Sequence, residues 1–169
     1  MADLSRMPLH SEFEQLFREH SQMLYRTAYS LLNNGPDAED VLQTVFLRLL
    51  RGLPPEFQRN PKGYLYRAAV NLSVDAVRSR KRASIAAEKY RPEAPLETDF
   101  VEENHRRLAE ALAELNPEAT QILVLKYVHS YKDAEIARVL GTSRGAIAMR
   151  LLRSRSRLKE LMRALEEKQ

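Results

Sequence analysis

Glu135-Ile136-Ala137-Arg138-Val139-Leu140-Gly141-Thr142-Ser143-Arg144-Gly145-Ala146-Ile147 joins two helical patterns through a glycine turn. Two helices that cross here must approach closely. Ala137 is small enough to let the second helix come near, and Gly141 can adopt the positive φ that a tight inter-helix turn requires. Ile136, Leu140 and Ile147 then bury the facing apolar sides. The spacing of small residue, glycine and aliphatic residue fits a helix-turn-helix.

Downstream, the second helix is expected from Arg144 to about Glu166. Between Arg144 and Lys159 it carries six bases and no acid: Arg144, Arg150, Arg153, Arg155, Arg157 and Lys159. Such a stripe suits phosphate contacts, while the first turns of the helix reach base edges in the major groove. A helical hairpin with a solvated basic face is the bland alternative. Upstream, a helix is expected over Asp133 to Leu140. Ile122, Leu123 and Leu125 mark another core face, and Asn116-Pro117-Glu118 reads as a cap followed by proline at the first helical position. Leu108, Leu112 and Leu115 form one more stripe.

Before these helices the pattern weakens. Between Ala83 and Glu103, Pro92 and Pro95 interrupt any helix, and Glu93, Glu97, Asp99, Glu102 and Glu103 are unopposed by bases from Glu93 onward. The stretch 83–103 is expected to be a flexible acidic linker. Its 21 residues would span at most roughly 70 Å at about 3.3 Å each. Two turns of DNA measure about the same, so the parts it joins could engage two separated elements. The acidic tract is also a candidate nucleic-acid mimic for a basic channel.

The N-terminal half is helical by periodicity as well. Phe13, Phe17, Leu24 and Ala28 recur at helical spacing, widened by Leu16, Met23, Leu31 and Leu32. Asn33-Asn34-Gly35-Pro36 is a turn, and Asp37 is the expected N-cap of a helix running to about Arg51. On that helix Ala38, Leu42, Val45 and Leu49 share one side. Glu39, Asp40, Gln43 and Arg48 lie on others, free for a partner. Gly52 to Pro61 is expected to be a loop. A further helix, from about Lys62 to Arg82, buries Leu65, Ala69, Leu72 and Ala76 and presents Arg67, Asn71, Asp75, Arg78 and Arg82. Tyr64 and Tyr66 stand beside these arginines, an arrangement that suits single-stranded DNA through stacking and phosphate contacts. One of the two tyrosines is expected to pack into the core.

Composition narrows the classes. Hydrophobic residues make up 44% and charged residues 30% of the 169, as in a folded globular chain. No apolar run reaches the roughly 18 to 20 residues of a membrane span, and Met1 to Glu14 lacks the apolar core of a signal peptide, so a cytoplasmic location is expected. There is no cysteine, hence no disulfide or thiolate metal site. None of the five glycines sits in a phosphate-cradling loop. Glu102-x-x-His105 is half of a di-iron motif without a second copy, and His10, His20 and His129 lack paired spacing. No cofactor and no metal are expected. The net charge is +4 with a pI near 9.4, so the distribution of charge matters more than its sum.

Taken together, the acidic Asp37-Ala38-Glu39-Asp40 helix, the Asn71-x-x-x-Asp75-x-x-Arg78 helix, the linker and the C-terminal helix-turn-helix closely resemble the extracytoplasmic-function (ECF) group of the sigma-70 superfamily, from about Phe13 to Leu161. That resemblance implies an all-α chain of two small helical domains: a region 2 bundle over 8–82 and a region 4 helix-turn-helix over 104–169. It implies docking on the clamp helices of the largest subunit of core RNA polymerase through Asp37, Glu39, Asp40 and Gln43. It implies recognition and melting of a −10 element through Tyr64, Arg67, Asn71, Asp75, Arg78, Arg80, Lys81 and Arg82. It implies reading of a −35 element through Thr142, Ser143, Arg144, Ala146, Ala148, Met149, Arg150, Arg153 and Arg157, with contact to the flap of the second-largest subunit. An anti-sigma partner and the absence of catalytic chemistry are further implications.

The chain departs from that family in places. Thr44 stands where an acid is usual, and Tyr64 where tryptophan is common. Gly145-Ala146-Ile147-Ala148-Met149-Arg150 replaces the typical Gly-Thr-Val-Lys-Ser-Arg, so direct readout shifts toward Ser143, Arg144, Arg150 and Arg153, with apolar contacts to thymine methyls. Two other classes stay open at this level. One is a dimeric regulator with a sensor domain in its N-terminal half, for which the basic Tyr64 to Arg82 helix would be superfluous. The other is a helical metal hydrolase, which would need a ligand set. The chain stops soon after its last helix, so no further C-terminal domain is expected.

Overall fold

A computed structural model describes residues 10–88 and 99–167. Among them are eight helices and no strands: α1 (His10–Leu32), α2 (Gly35–Arg51), α3 (Pro55–Arg59), α4 (Pro61–Glu88), α5 (Phe100–Glu114), α6 (Pro117–Tyr127), α7 (Asp133–Leu140) and α8 (Arg144–Glu166). In chain order they fall into two groups, α1 to α4 and α5 to α8, on either side of the stretch 89–98.

Local signals explain most helix ends. Asn34, rather than the expected Asp37, caps α2: its side chain accepts the Asp37 N–H at 3.0 Å, and Pro36 lies in the first turn. The asparagine wins because Gly35-Pro36 can enter the helix at once, where a missing proline N–H costs nothing. Pro55 similarly starts the five-residue α3 inside the expected loop, burying Phe57. Asn116 caps α6 through the Ala119 N–H at 2.8 Å, with Pro117 following. Gly141 ends α7 in the left-handed region at φ 69°, where a side chain would cost about 1 to 2 kcal/mol.

Two helix ends fall away from the sequence expectation. The helix α4 continues past Arg82 to Glu88, because Ala83 to Glu88 contains no breaker, and α5 begins at Phe100 with Asp99 as its cap. Only ten residues separate Glu88 from Asp99, so that stretch reaches at most about 40 Å, against the 70 Å expected for 83–103. Glu93 and Glu97 of the acidic tract, with Pro92 and Pro95, lie outside the described residues.

The two units do not stand apart: one continuous apolar cluster runs from Leu24 through Leu65 and Val70 to Ile122, Ile136 and Ile147. The helix α4 is its axle, packed against α1, α2 and α3 on one side and α5, α6 and α7 on the other. Burial on two sides rotates its buried face away from the expected stripe. Leu65, Tyr66, Ala69, Val70, Val74 and Val77 are buried, whereas Leu72 and Ala76 lie at the edge. The helix α6 is buried all round, from Ala119 to Leu125, and its buried Thr120 hydroxyl is satisfied by the Leu112 carbonyl at 2.7 Å.

Polar bonds cross between the units. The Tyr66 hydroxyl, fully buried, donates to the Gln121 carbonyl at 2.6 Å. Asn60 Nδ2 donates to the Val139 carbonyl at 2.8 Å. A ring nitrogen of His105 lies 2.9 Å from the Ser30 carbonyl. Gly63 sits so near α7 that a Cβ built on it would lie 2.3 Å from the Val139 carbonyl oxygen.

His129 marks the same seam. Its Nε2 lies 2.8 Å from Thr27 Oγ1, which also bonds the Met23 carbonyl. Burial pushes its pKa down to about 4, aided by the nearby charges of Arg26 and Lys62. The neutral ring is therefore the form the folded chain prefers. Its stabilising effect is complete above the unfolded value of 6.5 and is lost as pH falls from there toward 4, because the unfolded chain binds the proton more readily in that window. His20, also lowered by burial, acts in the same direction. Thermal melting across that window should show a smaller loss of Tm on acidification for His129→Gln than for the unaltered chain. Equal slopes would contradict the assignment.

Candidate polymerase and nucleic-acid interfaces

Three helical faces gather the residues singled out in the sequence. On α2, Glu39, Asp40 and Gln43 are exposed, while Ala38, Val41, Val45, Phe46 and Leu49 anchor the helix. Asp37 is instead half-buried and engaged by Arg80 in a close ion pair. Leu47 and Leu50, 53% and 40% exposed, add an apolar edge to this face. Sequence reasoning passed over both, because helical periodicity alone marks leucine as core. An acidic helix with exposed leucines suits a basic-and-apolar protein surface better than solvent.

On α4 the expected polar face is only partly open. Asn71, Asp75, Arg80 and Arg82 are exposed, while Arg67, Arg78 and Lys81 are half-buried. Several already have partners. Arg78 donates from Nε and Nη2 to the Ala113 carbonyl at 2.9 and 2.7 Å. Arg80 donates to the Leu32 carbonyl at 3.0 Å besides pairing with Asp37. Lys81 lies 2.7 Å from Glu114 and 3.6 Å from Glu110, and the Glu114 hydrogen bond raises its pKa. Tyr66 belongs to the core, where burial drives its phenol pKa well up. Tyr64 is half-buried with its ring edge-on to Phe57, centroids 5.8 Å apart.

On α8 the basic stripe is mostly free. Arg144, Arg153 and Arg155 are exposed, and no internal partner holds them among the described residues. Arg150 makes a short ion pair with Glu118 of α6, and Arg157 pairs with Glu160 one turn on at 2.9 Å. Ser143 caps the helix by accepting the Ala146 N–H at 3.2 Å, so its hydroxyl oxygen already serves the backbone. Thr142 and Ala146 are half-buried. Ala148 is exposed, Met149 is 54% exposed, and Leu152, missed in the sequence, is 62% exposed. Ile147, Leu151 and Ser154 point inward. The outward surface is thus a narrow apolar ridge between arginines, with the shape and charge of a major-groove helix.

The acidic tract is less free than expected. Asp99 caps α5 through the Val101 N–H at 3.2 Å, and Glu102 and Glu103 occupy the first turn, near the positive end of the helix dipole. Hydrogen bonds from Arg106, and then Arg107, hold the Glu103 carboxyl down to about 2. Among the described residues no helix is long and apolar enough to cross a membrane.

Comparison with known proteins places the chain in a family. Residues 16–83 match the family model for Sigma-70 region 2, and residues 105–158 match the model for Sigma-70, region 4. The ECF RNA polymerase sigma factor SigE of Mycolicibacterium smegmatis is 32% identical over 168 residues, 95% of this chain and 64% of that protein. The chain thus spans about two thirds of that relative's length. The RNA polymerase sigma-E factor of Streptomyces coelicolor is 32% identical over 88% of this chain and 85% of its own. The RNA polymerase sigma factor CarQ of Myxococcus xanthus is 30% identical over 91% of each. In fold, the chain resembles CnrH in its complex with the cytosolic domain of CnrY, with a TM-score of 0.55 and 24% identity over 92% of this chain and 90% of that one. With both regions matched in order and relatives of this identity along most of its length, the chain belongs to the ECF RNA polymerase sigma factors of the sigma-70 superfamily.

Proposed function

We propose that this chain binds core RNA polymerase and directs initiation at promoters carrying paired −10 and −35 elements, with no catalytic step of its own. The unit over 8–82 docks through the exposed Glu39, Asp40 and Gln43 of α2 and receives the melted −10 strand along α4. The unit over 104–169 seats α8 in the duplex of the −35 element. The observation that carries this assignment is the coincidence of the two matched regions with two helical units, each presenting an arginine-bearing helix.

The geometry supports a role for each of several residues. Arg144 and Arg153 flank the ridge of Ala148, Met149 and Leu152, so arginines would hold phosphates and guanines while methyl and methylene groups meet thymine C5-methyls. Arg150 must leave Glu118 to reach a base. Both are partly exposed, so that exchange costs little. An anti-sigma partner, as the ECF kinship implies, would hold the factor inactive until a signal releases it.

Arg150→Ala supplies the test. Binding of promoter duplexes by polymerase carrying the variant should weaken by about 1 to 3 kcal/mol on the cognate −35 element and little on scrambled sequence, if the side chain makes a bidentate base contact. An equal loss on every sequence would make Arg150 a phosphate ligand. No loss at all would remove it from the interface.

A further inference from the structure

Met149 and Leu152, each more than half exposed, stand on the outward side of α8, away from the buried Ile147, Leu151 and Ser154. From Gly145 to Leu152 the exposed residues are Gly145, Ala148, Met149 and Leu152. None of these side chains carries an N–H or O–H donor, and the Met149 sulfur is at most a weak acceptor. The nearest polar groups are engaged elsewhere. The Ser143 hydroxyl oxygen accepts the Ala146 N–H. Arg150, about 100° round the helix from Met149, is paired with Glu118.

Such a surface registers only part of what the major groove displays. Thymine presents a C5-methyl beside its O4 acceptor, whereas cytosine presents an N4 donor and no methyl. Only a side chain with donors or acceptors tells O4 from N4. An alkyl or thioether group senses whether a C5-methyl is there to pack against and to remove from water. Uracil is thymine without that methyl, and 5-methylcytosine is cytosine with it.

We propose that α8 reads its duplex through C5-methyl groups: Ala148, Met149 and Leu152 separate methylated from unmethylated pyrimidines and accept 5-methylcytosine as they accept thymine. This rests on the duplex-reading role of α8 proposed above and goes beyond it by naming the group recognised. Side chains three or four apart on a helix have Cβ atoms about 5 to 6 Å apart, and successive bases of a strand rise by about 3.4 Å. The ridge therefore covers two or three consecutive pyrimidines. Methylation of a cytosine at those positions strengthens binding.

The probe is the duplex of the strongest promoter that the chain and its host core polymerase select from host DNA, resynthesised with single substitutions upstream of the −10 element. Thymine to uracil removes one methyl and keeps the pairing, and cytosine to 5-methylcytosine adds one and keeps the pairing. Affinity is measured for the full chain assembled with core polymerase. Uracil at two or three adjacent positions should weaken binding about fourfold each, the burial of one methyl converted at about 1.4 kcal/mol per tenfold. With cytosine placed at those same positions, its 5-methyl form should bind about fourfold better than cytosine itself. Met149→Ala and Leu152→Ala should each bring these ratios toward one. Both side chains lie outside the core, so the fold is kept. Arg153→Ala should instead weaken thymine and uracil duplexes equally, as loss of a phosphate contact does. Uracil as good as thymine throughout, 5-methylcytosine no better than cytosine, or methyl effects that survive both alanine variants would overturn the methyl reading while leaving α8 in the duplex. Alanine variants that lose affinity for core polymerase itself would make the ridge a protein contact and overturn it as well. A chain that selects no promoter, or binding that survives scrambling of the whole upstream duplex, would overturn the role of α8 and the methyl reading with it.

Discussion

Asp40→Lys should weaken assembly with core RNA polymerase by about tenfold to a hundredfold, roughly 1.4 to 2.8 kcal/mol, while the fold stays intact. Asp40 is exposed on α2, beside Glu39 and Gln43 and two turns before Leu47, and the helix is held by residues on its opposite side. A reversed charge there costs the fold little, since surface substitutions of this kind fall within about 0.5 kcal/mol. At a docking face it replaces attraction by repulsion and leaves a cation to be desolvated against the partner's own. Titration of labelled core polymerase gives the affinity, and circular dichroism confirms the helices. Full affinity for core would remove α2 from the docking surface.

Tyr66→Ala should destabilise the whole chain by about 3 to 5 kcal/mol, as removal of a large buried aromatic does, with a single transition in urea. The ring is fully buried, edge-on to His129 with centroids 6.2 Å apart, and its hydroxyl donates to the Gln121 carbonyl of the other unit. Tyr66→Phe isolates the hydroxyl: it removes one hydrogen bond between the units, at about 0.5 to 1.5 kcal/mol, while the Gln121 carbonyl keeps its place inside α6. Tyr64→Ala should do the opposite. It should cost less stability, since Tyr64 is half-buried, and lose about 1 to 3 kcal/mol of strand binding if a base stacks on it. Two unfolding steps for Tyr66→Ala, one per unit, would contradict the continuous core.

The two tyrosines show where sequence reading stops. Both stand among arginines, and periodicity cannot assign either, because α4 is covered on two sides. A helix in the middle of a structure loses the clean stripe that surface helices carry, which is why the expected burial of Leu72 and Ala76 gave way to Tyr66, Val70 and Val74. Local chemistry read more cleanly. The Asn116-Pro117 cap, the left-handed Gly141 and the bounds of α7 and the start of α8 all follow from residues within a turn of the feature. The meeting of the two units does not. It depends on Gly63, Asn60 and His129 finding partners some 80 to 100 residues away, and nothing local marks those residues as contacts. The same distance effect hid Leu47, Leu50 and Leu152, whose exposure becomes visible only once their neighbours are placed.

The docked arrangement bears directly on function. Under the proposed function, two elements about two helical turns apart would be read by α4 and α8 only once the units part. The described helix ends shorten the connection to ten residues, which limits how far they can part unless the bodies of the units themselves bridge the gap.

The most direct measurement is transcription in vitro: the purified chain, core RNA polymerase from its own host, and a library of that host's genomic DNA, with the RNA 5′ ends mapped. The account predicts discrete start sites that depend on the added chain, preceded by two shared sequence elements. Start sites unchanged by its addition would contradict it.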